Sequence, residues 1–261
     1  MTKAKAAPAA QGPVALKNVA GFMAMTQRLV DRGPLLPGIG VCQSVSGYGK
    51  TLASIFAQNK TGAARVEIGD TWTRKTTLKA ILRELGVFDE KKRLTIADMA
   101  ELAVIALGND PSRPLIIDEA DKLVDKGMIE LVRELHEHSG APVILIGEER
   151  LPAKLLNYER VHNRVLEWFP AQPCDLEDAK LLAHAFAPKI AITDDLLDAI
   201  RAASGGRARR IVVNISRVAE LARNQGKHTI DLRSWGDAQF YTSEPPQARS
   251  VPAYERAPRA A

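Results

Sequence analysis

Apolar residues fall into two patterns along this chain. Short runs that are apolar throughout, at Gly38–Cys42, Leu115–Ile117 and Pro142–Ile146, predict buried strands, and Ala64–Ile68 alternates as a further strand. Between them the spacing turns helical. Val19–Val30 predicts a helix that stops before Arg32-Gly33-Pro34. Leu78, Ile81, Leu82 and Leu85 share one face of a helix over Thr76–Leu85, with Gly86 as its stop. Thr95–Leu107 predicts another, opened by a Thr95-x-x-Asp98 capping box and closed by Gly108-Asn109-Asp110-Pro111. Met128, Ile129, Leu131, Val132 and Leu135 form one more face, ending near Gly140. Buried strands alternating with helices predict an α/β fold with a parallel sheet covered on both faces. After Phe169-Pro170 the strands are expected to stop, and Leu176–Phe186, Asp194–Ala203 and Arg207–Arg223 predict three helices of a small all-helical lid.

The expected division is a disordered basic tail over 1–17, an α/β domain over 18–172, a helical lid over 173–226 and a mostly irregular tail over 227–261. The 261 residues are 46% apolar, enough for an ordinary core, and a formal charge of +5 favours an acidic partner such as nucleic acid. Two cysteines, Cys42 and Cys174, are too few for a disulfide framework, so a reducing cytoplasm is expected. No apolar run approaches the length of a membrane span, and the Ala-rich start has no signal core, so no membrane partner is expected. Aromatic residues, at 5%, are too sparse for a base-stacking surface, which favours duplex over single-stranded nucleic acid. His136 and His138 have no second ligand pair near them.

Candidate chemistry concentrates in Ser44-Val45-Ser46-Gly47-Tyr48-Gly49-Lys50-Thr51, placed between a predicted strand and the helix beginning Leu52-Ala53-Ser54. Glycines let the backbone wrap a polyphosphate with its N–H groups inward; a Lys neutralises the β/γ-phosphates and a Thr hydroxyl ligates Mg²⁺. The full pattern asks for Gly where Ser44 stands. On this reading Ser46, Gly47, Tyr48, Gly49, Lys50, Thr51 and Leu52 bind ATP, and Thr51 with Asp118 holds Mg²⁺. Asp118-Glu119 ends a buried strand on the edge where open α/β sheets bind ligands. Glu119 is expected to position or deprotonate the attacking water.

Asp118-Glu119-Ala120-Asp121 resembles the acidic box of AAA+ ATPases, and Glu159–Val165 is similar to the arginine-finger segment of their initiator and clamp-loader branch. Gly206-Arg207-Ala208-Arg209-Arg210 resembles the lid motif Gly-x-x-Arg. The resemblance implies an AAA+ P-loop NTPase, a three-layer αβα core followed by the lid. It implies that Arg164 is a finger reaching a neighbouring subunit's γ-phosphate and Arg209 a lid sensor, with Arg160 and Arg210 as the alternatives. The family usually places Asn, Thr or Ser where this chain has Glu148; a carboxylate there is expected to slow hydrolysis or to alter the role of the position.

Within AAA+ proteins, Asp70-Thr71-Trp72-Thr73, Glu84-Leu85-Gly86-Val87 and Ile146-Gly147-Glu148-Glu149 resemble transposon-helper ATPases of the phage Mu B type. That resemblance implies an ATP-dependent duplex-DNA binder that forms a homo-oligomeric helical filament, selects target DNA and activates a transposase, in the cytoplasm of a bacterial or phage-infected cell. Mu B carries an extra N-terminal DNA-binding domain for which this chain has no room, so DNA contact is expected from the ATPase ring or the tails. Arg74, Lys75, Lys79, Lys91, Lys92 and Arg93 are the expected phosphate contacts, giving salt-sensitive and weakly selective binding. A replication initiator or helicase loader, or a nucleotide-gated DNA scaffold with little hydrolysis, fits the same motifs.

Overall fold

The computed structural model describes residues 14–243. The first part of the chain forms α1 (Lys17–Val30), β1 (Ile39–Gln43), α2 (Lys50–Thr61), β2 (Ala64–Glu67), α3 (Arg74–Glu84), α4 (Ile96–Gly108) and β3 (Leu115–Asp118). There follow α5 (Asp121–Asp125), α6 (Glu130–Ser139), β4 (Val143–Gly147), α7 (Leu151–Leu155), α8 (Glu159–His162) and β5 (Val165–Pro170). The last part holds α9 (Leu176–Phe186), β6 (Ala191–Ile192), α10 (Asp194–Ala203), α11 (Ala208–Asn224), β7 (Thr229–Ile230) and α12 (Leu232–Trp235).

The five long strands form one parallel sheet in the order β2-β3-β4-β1-β5. Its three central strands, β3, β4 and β1, are almost wholly buried, as their unbroken apolar runs require. Side chains alternate between faces with period two. Cys42, Ile116, Ile144 and Ile146 pack with α1, α2 and the lid, whereas Ile39, Val41, Leu115, Ile117, Val143 and Leu145 pack with α3, α4 and α6. Helix α1 lies close on β1 because Gly40 has no side chain: a Cβ there would sit 2.5 Å from Leu29 Cδ1. Thr95 and Asp98 form the expected reciprocal capping box of α4.

The lid shares the first core through Leu182, Leu196, Leu197, Ile200, Ile211, Ile215 and Val218. One part of the sequence reading is corrected here. Strands do not stop at Pro170: β6 and β7 pair in parallel across the lid. The stretch from 227 to 243 is mostly without regular structure, yet it packs on the lid. It carries β7 and α12, Trp235 stacks on Phe240 at 5.4 Å, and the buried Asn214 amide bonds both the N–H and the carbonyl of Tyr241. The fold thus closes a second small parallel pair over lid helices already packed by their apolar faces. The expected tails over 1–13 and 244–261 lie outside the described residues; within the described part of the first, Leu16 is buried in the core.

The first helix joins the two domains. Buried Asn18 donates to Tyr48 O in the phosphate loop (2.8 Å) and to Gln172 O before the lid (2.7 Å), and accepts from Gln172 N–H (2.9 Å). The first N–H of α1, at Lys17, is capped by Asp178 Oδ1 of the lid at 3.0 Å, a carboxylate that also closes the capping box of α9. Replacing Asn18 with Ala strands three backbone groups in a buried place. We expect a loss of about 2–3 kcal/mol, read as a shifted urea midpoint at unchanged slope.

Candidate functional site

The parallel register sets Gln43, Asp118 and Gly147, the last residues of β1, β3 and β4, along one edge of the sheet. The loop leaving β1 and the residues leaving β3 and β4 therefore converge. In the loop, Gly47 (φ +99°) and Gly49 (φ +85°) take left-handed conformations that favour glycine, and Gly49 is the N-cap of α2. Lys50 folds back over the loop: its ammonium donates to Ser44 O (2.7 Å), Ser44 Oγ (3.1 Å) and Val45 O (3.1 Å). Ser44 is buried and supplies the Lys with an oxygen that Gly would lack. Ser46 and Thr51 are exposed at the mouth of the loop, and Tyr48 and Leu52 are half-buried against the core.

Asp118 is buried, with Oδ1 accepting the Glu119 N–H (3.0 Å) and Oδ2 accepting from Arg65 Nη2 (2.7 Å). Glu119 has φ +58°, a left-handed conformation uncommon for a residue with a side chain. This turn leaves the Glu119 carboxylate half-exposed, 3.6 Å from Lys122 Nζ. At the end of β4 the Glu148 N–H donates to Asp121 Oδ2 (2.6 Å), while the Glu148 side chain is exposed. Asp121 comes that close because Gly147 presents no Cβ against it. Burial lowers the Lys50 ammonium below its ordinary value, opposed by, among others, the fields of Asp118, Glu148 and Glu119. The three carboxylates and the Lys thus act on one small volume. The Thr51 hydroxyl and the Asp118 carboxylate are hard oxygen donors of the kind that suits Mg²⁺.

The lid contributes an arginine that the sequence reading passed over. A Cβ on Gly47 would lie 3.2 Å from Arg207 Cβ, so the Arg207 side chain packs against the phosphate loop. Arg209 is exposed on the first turn of α11, and Arg210 is half-buried. The signal that could have found Arg207 is its place as N-cap of α11, immediately after Gly206 (φ +64°).

Arg164 lies at the opposite edge of the sheet: Ile39, the first residue of β1, donates its N–H to Arg164 O at 3.0 Å. One strand length, about 15 Å, separates it from the protomer's own phosphate loop. Its guanidinium pairs with Glu137 at 2.7 Å and is 43% exposed. Arg160 is exposed and has no hydrogen-bond or ion-pair partner among the described residues. Arg74, Lys75 and Lys79 all lie on α3. Arg74 bonds Gly127 O (3.2 Å), and Lys79 lies 5.7 Å from the Phe88 ring centroid. The side chains of Lys75, Lys91, Lys92 and Arg93 have no such partner among the described residues, and all four are exposed.

Residues 36–155 match the family model described as AAA domain. Among solved structures the chain is similar to Cdc6p from Pyrobaculum aerophilum (TM-score 0.60, 19% identity, 86% of this chain and 66% of that one). It is also similar to the Aeropyrum pernix ORC1 protein in complex with DNA (TM-score 0.62, 16% identity, 87% and 65%). A third is the Thermotoga maritima RuvB Holliday junction branch migration motor (TM-score 0.55, 15% identity, 85% and 69%). The chain spans just under two thirds of the length of the first two. No curated protein sequence matches it. The fold is α/β with a parallel five-stranded sheet, and it is the fold these solved structures share. Among the described residues no helix is long and apolar enough to cross a membrane.

Cys42 ends on the loop edge yet is no nucleophile: burial pushes its thiol up to about 12, with Lys50 opposing and Asp118 adding to the shift. Burial does the same for Cys174, also to about 12. At pH 8 the native protein should therefore leave both thiols unlabelled by Ellman's reagent, and denaturant should release two. Because the folded state keeps both protons, its stability should fall as pH rises above the ordinary thiol value of 9.0.

Proposed function

We propose that this chain is an ATP-hydrolysing AAA+ protein that binds duplex DNA as an oligomer, with the bound nucleotide governing assembly. The observation that carries this is the convergence of the phosphate loop, Asp118-Glu119 and Arg207 at one sheet edge, with Arg164 held at the other. A triphosphate seated on the amides of Ser46–Leu52 takes the Lys50 charge at the N-terminus of α2, where the helix dipole also favours anions. Glu119 orients the attacking water, since phosphoryl transfer depends on an aligned nucleophile and on charge neutralisation. Thr51 and Asp118 are the groups that would hold Mg²⁺, which supplies further neutralisation of the phosphate oxygens when bound. Arg207, beside Gly47, takes the lid role in preference to exposed Arg209. Arg164 cannot reach its own loop, so its partner site is a neighbouring protomer's and hydrolysis depends on assembly.

Exposed Lys75, Lys91, Lys92 and Arg93, whose side chains have no ion-pair or hydrogen-bond partner among the described residues, are available to DNA phosphates, which is the support for a backbone-directed, salt-sensitive contact. For the pathway, the likeness to Cdc6p and to an ORC1 protein bound to DNA favours a replication-initiator or helicase-loader role. Filament formation, target selection and transposase activation rest on the sequence resemblance alone. Exposed Glu148 at the loop edge supports a slow enzyme.

Sedimentation with linear duplex DNA should give DNA-bound assemblies in ATP and none in ADP; binding indifferent to nucleotide would overturn the reading. Lys50→Ala should abolish nucleotide binding. Glu119→Gln should keep binding and assembly while turnover falls by roughly 100-fold or more. Arg164→Ala should keep nucleotide affinity and lose turnover by about 10³-fold. Mixing the Arg164→Ala and Glu119→Gln proteins, both of which still bind nucleotide, should restore part of that turnover, because each supplies the group the other lacks; no recovery would remove the case for an arginine acting in trans.

A further inference from the structure

Arg65 stands on β2, where the register pairs it with Ile116 and pairs Glu67 with Asp118. Its side chain, only 13% exposed, runs along the sheet to bring Nη2 2.7 Å from Asp118 Oδ2, on a side chain 5% exposed. Arg65 Nε donates to Ser54 Oγ on α2 (2.8 Å), and that hydroxyl donates to Thr51 O (2.8 Å). One guanidinium therefore ties the strand bearing the acid to the helix bearing the phosphate loop. Glu67 Oε2, 3.5 Å away and 60% exposed, is the weaker partner.

A carboxylate this buried needs a counter-charge to stay ionised. Lys50 is turned onto the loop oxygens, so the cation bonded to Asp118 is Arg65. Both Asp118 oxygens are then engaged, one by Arg65 and one by the Glu119 N–H. A divalent ion brought to Asp118 meets a fixed positive charge beside the group it would share.

We propose that Arg65 is the resident counter-cation of Asp118 and sets the Mg²⁺ concentration the nucleotide requires. Binding of the metal–nucleotide complex displaces the guanidinium from Asp118 Oδ2, and that release loosens the tie between β3 and Ser54 on α2. Arg65 is a positioning residue, acting through Asp118, and the inference rests on the nucleotide-binding reading above.

The test is Mg²⁺ titration of fluorescent ADP binding to the wild-type protein and to the Arg65→Gln and Arg65→Lys variants, with folding checked by circular dichroism. Removing the charge in Arg65→Gln should lower the half-saturating Mg²⁺ by about threefold or more, while Arg65→Lys stays near wild type. A glutamine variant with a wild-type Mg²⁺ requirement, or a lysine variant that shifts as far as glutamine, overturns the inference. A wild-type protein that binds no ADP at any Mg²⁺ concentration overturns instead the reading of the site. Should Arg65→Gln fail to fold, crystal structures of the wild-type protein with and without Mg²⁺–ADP decide. Separation of Arg65 from Asp118 in the bound form supports displacement, and an intact pair refutes it.

Discussion

The parallel register of β1, β3 and β4 is the constraint on which the site depends. Because Gln43 is in register with Gly147, and Asp118 ends β3 within one residue of that level, the loop after β1, two carboxylates and the Glu148 turn emerge at one edge. A slip of one residue would reverse every side chain on a strand and place apolar groups where Asp118 now sits. The two cores on either face hold the register, since Ile116, Ile144 and Ile146 cannot exchange faces with Leu115, Ile117, Val143 and Leu145 without emptying both. The candidate site is a by-product of burial: the strands align for packing, and their ends inherit the alignment.

That edge collects charge in a confined space, and the protein answers each charge locally. Lys50 is met by loop carbonyls, Asp118 by Arg65 and a backbone N–H, and Asp121 by the Glu148 N–H and, at 3.6 Å, by Lys154. Burying these groups without partners would cost more than the fold's net stability. The lid is bound into the same arrangement through Asn18, which bonds Tyr48 in the loop and Gln172 at the domain junction with one side chain. A shift of the loop backbone around a ligand is thus felt at the start of α1 and at the entry to the lid. The contact with Lys17 N–H makes Asp178 part of that path.

Much of this was legible in the sequence, for definite reasons. The loop Ser44–Thr51 stands out as a candidate because phosphate binding requires glycines and a Lys at fixed spacing, and the central strands because burial on both faces demands uninterrupted apolar runs. The Thr95–Asp98 capping box was legible because it is local. What escaped is what tertiary contacts decide. Alternation assigns Arg65 to the polar side of a strand, but that this side faces Ser54 and Asp118 is a property of neighbouring elements. Asn18 reads as one polar residue at a helix start. Arg207 and Arg209 differ only in which turn of backbone faces Gly47. Strands of two residues, β6 and β7, are too short to show a period, and Trp235 and Phe240 lie five residues apart with no pattern linking them.

The pairing of Arg164 with Glu137 bears on how such a protein could be switched by assembly. On the proposed role of Arg164, an arginine that waits in one protomer for a neighbour's phosphate must be held in place without being held too tightly. An exposed ion pair meets that requirement. At 43% and 26% side-chain exposure the two groups remain in contact with water. Such pairs contribute about 0–1 kcal/mol, so little would oppose moving the guanidinium to a more highly charged partner. Glu137 is not left bare by the transfer, because Arg133 on the same helix already bonds its other oxygen. The contrast with Arg65 is instructive. There the guanidinium is buried on a buried acid and fixed to Ser54, so moving it requires a competing divalent charge. One edge of the sheet thus holds a cation that is costly to displace, and the other holds one that is cheap to redeploy. That difference would order events, with metal–nucleotide binding preparing the site before a neighbour completes it.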